Sequence, residues 1–225
     1  MKQASNMFTS EQRQQVEEAV KQAESGTSCE IVPVVAASSG RYDRPEDIVG
    51  LWLAIIAASA VWFWFPRQLD ETGSWDATPW YVGLIVLIVA VVVAFIIGAV
   101  AGSRINWLRR LFTSRAEMQE SVAGRARQVF FDKRVHHTEG ATGLLIYLSL
   151  MERSAVVLGD QTVLDKFGQE FLDELCKMLT QAMRETHPAD ALCRVISHAG
   201  TKLSTSLPRS NTDVNEIQDT LILID

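Results

Sequence analysis

The sequence predicts an α/β fold in which a small mixed sheet is covered by helices on both faces and interrupted by a pair of membrane-spanning helices. Three observations predict it. Two apolar runs, "IVGLWLAIIAASAVWFWFP" (48–66) and "WYVGLIVLIVAVVVAFIIGAVAG" (80–102), stand without an ionisable side chain in the middle of a polar chain. The flanks alternate amphipathic helical patterns with short apolar runs of strand length. The piece ahead of the first run holds one helix and one strand, too little to enclose a core, so it must combine with the chain beyond the second run. The resulting boundaries are 1–47 for the first part of the domain, 48–102 for the hairpin and 103–225 for the second part.

Taken in order, "FTSEQRQQVEEAVKQAESG" opens with Thr9 and Gln12 in capping-box spacing. Val16, Ala19, Val20 and Ala23 then recur at helical spacing, with Gly26 as the stop. "CEIVPVVAA" reads as a buried strand in which Pro33 suggests an edge position or a bulge. Each apolar run that follows holds about twenty residues, which at about 1.5 Å rise spans a hydrocarbon core of about 30 Å. The first run lies too far from the N-terminus to be a cleaved signal peptide. All six tryptophans fall in or beside these runs, and the clusters "VWFWFP" and "TPWY" form an aromatic belt around the connector.

Charge orients the hairpin. The connector "RQLDETGSWDAT" sets one arginine against three acids, whereas "SRINWLRRLFTSR" carries Arg104, Arg109, Arg110 and Arg115, with Arg41 and Arg44 on the other flank. By the positive-inside rule the two domain parts are cytoplasmic and the connector lies outside. "NWLRRLF" can also press Trp107, Leu108 and Leu111 onto anionic lipid. Within the spans Ser59 is the only conspicuous polar side chain, which argues against ion or proton transport. Gly98 and Gly102, extended back by Ala94, make a small-residue face. That face suits packing against Ala54 and Ala58 of the first span, or against a second copy of the chain.

After the hairpin, "SRAEMQESVAGRARQVFFDKRV" offers a capping box at Ser114 and Glu117 and a stripe of Met118, Val122, Ala126 and Val129. "TGLLIYLSL" and "SAVVLG" read as a strand hairpin turning at Met151-Glu152-Arg153, where Glu152 and Arg153 are expected as a solvated or locally paired couple. Helices over 164–186 and 189–206 complete the pattern ahead of "LPRSNTDVNEIQDTLILID".

A formal charge of −6 leaves no basic surface for nucleic acid. Cys29, Cys176 and Cys193 lack paired spacing and read as reduced buried thiols. His136, His137, His187 and His198 match no zinc pattern, and there is no phosphate-binding loop, dinucleotide fingerprint or serine elbow.

Three stretches, "AESGTSCEIVPVV", "GATGLLIYLSLMERSAVVLGDQTV" and "HPADALCRVISHAGTKLSTSLPRSNTDVNEIQD", resemble successive blocks of the TPM domain in its bacterial membrane-protein branch. The resemblance implies an α/β/α sandwich. It also implies either phosphatase activity, proposed for some plant members, or an assembly or accessory role. Many members carry a glycine-containing turn after the aspartate that ends the second hairpin strand, and "GDQTV" departs from it.

Among ionisable residues, Asp160 stands out because it ends an apolar strand and precedes a helix. It can cap helix amides or, with Asp165 and Glu30, hold a hard cation such as Ca²⁺ or Mg²⁺. Two functions follow. One is a membrane-tethered binding or assembly module whose partners are the bilayer and either another membrane protein or a second copy through the Gly98/Gly102 face. The other is a divalent-metal-assisted phosphatase acting on phosphomonoesters.

Overall fold

A computed structural model describes residues 3–40, 44–64, 80–105, 113–138, 140–209 and 215–225. The chain forms two compact units, one of Met1–Gly40 with Arg115–Asp225 and one of Arg41–Ser114. The hairpin unit is thus wider than 48–102 by its flanking segments.

In the first unit, α1 (Ser10–Glu24) starts at the expected capping box. Thr9 Oγ1 accepts from the Gln12 amide at 3.2 Å, and Gln12 Oε1 accepts from the Thr9 amide at 3.0 Å. The sheet contains β1 (Ile31–Ala36), β2 (Leu144–Ser149), β3 (Ser154–Gly159) and β4 (Ile222–Ile224) in the order β3-β2-β1-β4. β1 runs parallel to β2 and β4, and β2 pairs antiparallel with β3, so the sheet is mixed.

Alternate residues of the strands serve two cores. Ile31, Val35, Leu144, Ile146 and Leu148 pack with α1, α5 (Gln161–Glu185) and α6 (Pro188–Ser206). Val32, Val34, Leu145 and Tyr147 pack with Val122, Ala126 and Val129 of α4 (Arg115–Asp132). Both faces are covered, which is why β1 and β2 are buried at every position and read as unbroken apolar runs. The result is the expected α/β/α sandwich.

Two details of the sheet turn on β4. β4 was not foreseen; it is three residues long and is fixed from outside itself, by pairing with β1 and by the Asp225 carboxylate, which accepts from the Ser5 amide and hydroxyl at 3.0 and 2.7 Å. β1 is interior by strand order, but β4 does not reach Pro33, so Pro33 sits at a local edge as its sequence suggested, without a bulge. The Ala37 amide donates to Ile224, so by the two-residue alternation the backbone of Pro33 also faces the β4 side. β4 begins only opposite Val34, and the donor that proline lacks has no ladder bond to make there.

The second unit pairs α2 (Arg44–Trp64) with α3 (Trp80–Arg104). Segments of 19 and 24 residues within them, Glu46–Trp64 and Tyr81–Arg104, are long and apolar enough to cross a membrane, and their side chains are mostly exposed. Ser59 satisfies its hydroxyl on the Ile55 carbonyl. Gly98 is buried so closely that an added Cβ would lie 2.7 Å from Gly50 Cα, and Ala54 is buried as well. Of the two partners that the small-residue face suits, the first span occupies it at Gly98, where glycine on both helices permits the close approach. The connector with Trp75, Arg41, and the 106–112 stretch with Trp107, Leu108, Arg109, Arg110 and Leu111 lie outside the described residues.

Candidate functional site

One end of the sheet gathers the start of β1 and β2 and the finish of β3. Asp160 follows β3 directly; its amide donates to Gly143 at 2.8 Å, and its Oδ1 accepts from the Gln161 amide at 2.8 Å as the N-cap of α5. Its Oδ2 is buried and has no hydrogen-bond partner among the described residues. Asp165, one turn along α5, is exposed and accepts from the Gln161 side chain at 2.8 Å. Glu30 is 7% exposed and turns toward the other side of β1, where its carboxylate accepts from the amides of Glu216 and Ile217 at 3.2 and 3.4 Å.

The three residues singled out from sequence thus share an end of the sheet without converging. Asp160 and Asp165 sit at the start of α5, while Glu30 clamps the segment leading into β4. Among the described residues no group of three or more His, Cys, Asp or Glu side chains is placed to hold a metal ion. The proposed Ca²⁺ or Mg²⁺ ligand set does not fit this arrangement.

Sequence reasoning missed Glu24. It is 8% exposed, its Oε1 accepts from the Ile31 amide at 2.7 Å, and it faces Glu30 and Asp219. Burial, opposed by the Ile31 hydrogen bond and reinforced by the two neighbouring acids, pushes its carboxyl up to about 9. The available signal was its place in the last turn of a helix, where the macrodipole disfavours an anion. Beside it, the buried Cys29 thiol donates to the Thr142 carbonyl at 2.6 Å, and burial with the nearby acids pushes its pKa up. A thiol held that way is not an activated nucleophile. All three cysteines are free.

At the other end, the C-terminal ends of the parallel strands β1 and β2 meet, the place where open α/β sheets put their ligands. Glu152, expected from sequence as solvated or locally paired with Arg153 at the turn, is instead enclosed by the chain after β1. It is 7% exposed. Its Oε1 accepts from the amides of Ser39 and Gly40 at 2.8 and 3.2 Å and from Ser38 Oγ at 3.4 Å, and its Oε2 accepts from Ser149 Oγ. Ser39 Oγ donates to Ser149 Oγ at 2.7 Å and lies 2.9 Å from the hydroxyl of the buried Tyr147. Burial raises the Tyr147 pKa against the opposing Ser39 bond. Arg153 is exposed and takes the positive φ of 51° that closes the β2–β3 turn.

The chain of hydroxyls ends on a carboxylate, as a relay activating a serine would. However, the amides of Ser39 and Gly40, which an oxyanion would need, are spent on Glu152. The network therefore fixes the 38–40 loop where the chain leaves the sheet.

The histidines serve locally. His187 caps α6 through Nδ1, which accepts from the Ala189 amide at 3.3 Å, and His198 pairs with Glu174 at 3.2 Å on the surface.

Comparison with protein-family models and with curated proteins finds no match. Among solved structures the chain is similar to the BA42 protein from the psychrophilic bacterium Bizionia argentinensis, determined by NMR. The two are 16% identical with a TM-score of 0.57, and the likeness covers 99% of each chain. At that identity the likeness shows the fold alone.

Proposed function

We propose that this chain is a membrane-anchored TPM-like protein whose sandwich works at the cytoplasmic face of a bacterial inner membrane as a binding or assembly module for other membrane proteins. The observation that carries this reading is the insertion itself: two exposed, apolar, span-length helices interrupt the sandwich between β1 and α4. Such an insertion ties the domain to the bilayer at two points of its chain, which favours work on a membrane-resident partner. The arginine-rich flanks and acidic connector support the cytoplasmic side.

Reporter fusions to the connector and to the C-terminus test the side; an inactive cytoplasmic reporter at the connector and an active one at the C-terminus are expected. Native electrophoresis of gently solubilised membranes tests assembly, with migration in a discrete complex expected. A divalent-metal phosphatase is the alternative, supported by the buried Oδ2 of Asp160, which has no partner among the described residues, and weakened by the engagement of Asp165 and Glu30 elsewhere. Phosphomonoester hydrolysis that requires Ca²⁺ or Mg²⁺ and disappears in Asp160→Asn would replace the assembly reading with this one.

A further inference from the structure

We propose that the end of α4 and the turn after it, residues 127–137, form a contact for an anionic lipid surface, with Phe131 entering the interface and Arg127, Lys133 and Arg134 meeting lipid phosphates. The proposal rests on the membrane-anchored reading and adds a second, reversible attachment to it.

Outside the hairpin, Phe131 is the one exposed large apolar side chain among the described residues, at 60% exposure. A single exposed phenylalanine is unremarkable. This one lies in a segment of opposite charge to the rest of the protein. From Arg125 to His137 the sequence carries four arginines or lysines and one acid, Asp132, in a chain whose net charge is −6. Arg127 and Phe131 stand four residues apart on one helix face, and both are exposed. The His136 ring lies 4.9 Å from that of Phe131, so an apolar centre is rimmed by cations and imidazoles.

The turn is built to present these groups. The amides of Lys133, Arg134 and Val135 donate to Val129, Phe131 and Phe130 at 2.9, 3.0 and 3.0 Å, and Arg134 adopts a φ of 54°. Val135 alone points inward. It is fully buried against Gly143, where an added Cβ would lie 1.9 Å from the Val135 carbonyl oxygen. With Val135 as the plug, Lys133, Arg134, His136 and His137 are left on the outside. An aromatic ring at the headgroup level with flanking cations is the arrangement that binds anionic bilayers.

The test is hydrogen exchange on the full chain in nanodiscs of phosphatidylcholine alone and of phosphatidylcholine with phosphatidylglycerol. Slower exchange in the 127–137 peptides is expected only in the anionic discs, reversed by salt. At about 1 kcal/mol per cation, each charge is worth about fivefold in lipid affinity. The double variant Lys133→Gln/Arg134→Gln should lose about 25-fold and with it the protection, while β1 and β2 exchange as in the parent. Phe131→Ser should weaken the protection without changing its salt dependence. Equal exchange in both lipids, protection that survives the double variant, or protection that appears only with an added protein would overturn the proposal. Spans left unprotected in either disc would instead contradict the membrane-anchored reading.

Discussion

The two ends of the sheet bury the same side chain with opposite consequences. Glu152 at one end and Glu24 at the other are 7% and 8% exposed, so depth does not distinguish them. Donors do. Glu152 collects two backbone amides and the hydroxyls of Ser38 and Ser149, whereas Glu24 has one backbone amide and two acids for neighbours. A buried carboxyl surrounded by donors is an anchor, and one crowded by acids retains its proton.

The sharpest way to break this comparison is Glu152→Ala, which strands the Ser39 and Gly40 amides and the Ser149 hydroxyl. With the part-buried amides and the buried Ser149 hydroxyl left unsatisfied, the loss should be about 3 kcal/mol, read from the urea midpoint of the sandwich in detergent. Glu24→Ala, which orphans the Ile31 amide but relieves the crowding of acids, should cost clearly less in the same assay. Equal losses would mean that burial alone sets the energetics.

A second effect is on pH dependence. The Glu24 carboxyl sits at about 9 in the fold against 4.5 ordinarily, so between those values the folded state keeps a proton that the unfolded chain releases. Its contribution is complete below pH 4.5 and is lost as pH rises toward about 9, by up to about 1.4 kcal/mol per unit. Glu24→Gln keeps an acceptor for the Ile31 amide and should flatten that slope. A slope unchanged in this variant would assign the dependence to another group.

A smaller effect is expected for Ser149→Ala, which removes one of the hydroxyls on Glu152 and leaves its amide donors in place. About 1 kcal/mol is expected from the same urea series. The smallest belongs to Asp160→Asn. Asparagine caps a helix as well as aspartate does, so stability should change by less than about 0.5 kcal/mol, and phosphate release with Ca²⁺ or Mg²⁺ should match the parent.

Most of the fold was legible because it is written locally. The Thr9/Gln12 cap, the Met118–Val122–Ala126–Val129 stripe and the two apolar runs need no distant partner to be recognised. What escaped depends on chain far away. The "ILI" of β4 has too little length to read as a strand, and it becomes one only by pairing with β1, which lies on the far side of the hairpin in sequence. Glu152 reads as a turn residue until the 38–40 loop folds over it. For the candidate site, the sequence showed Asp160 as a helix cap and offered Asp165 and Glu30 as its companions. It could not show that Glu30 turns toward residues 216 and 217, because that direction is decided by where the C-terminal segment docks.

The central claim is that a folded α/β/α sandwich is held in a bilayer by its inserted hairpin. Washing membranes that contain the full chain with alkaline carbonate tests it most directly, since alkaline pH strips peripheral proteins and also weakens the sandwich through Glu24, but leaves spanning helices in place. Retention of the whole chain in the membrane pellet is predicted. Its release into the supernatant would contradict the account, and the two apolar helices would then have to be buried against protein instead.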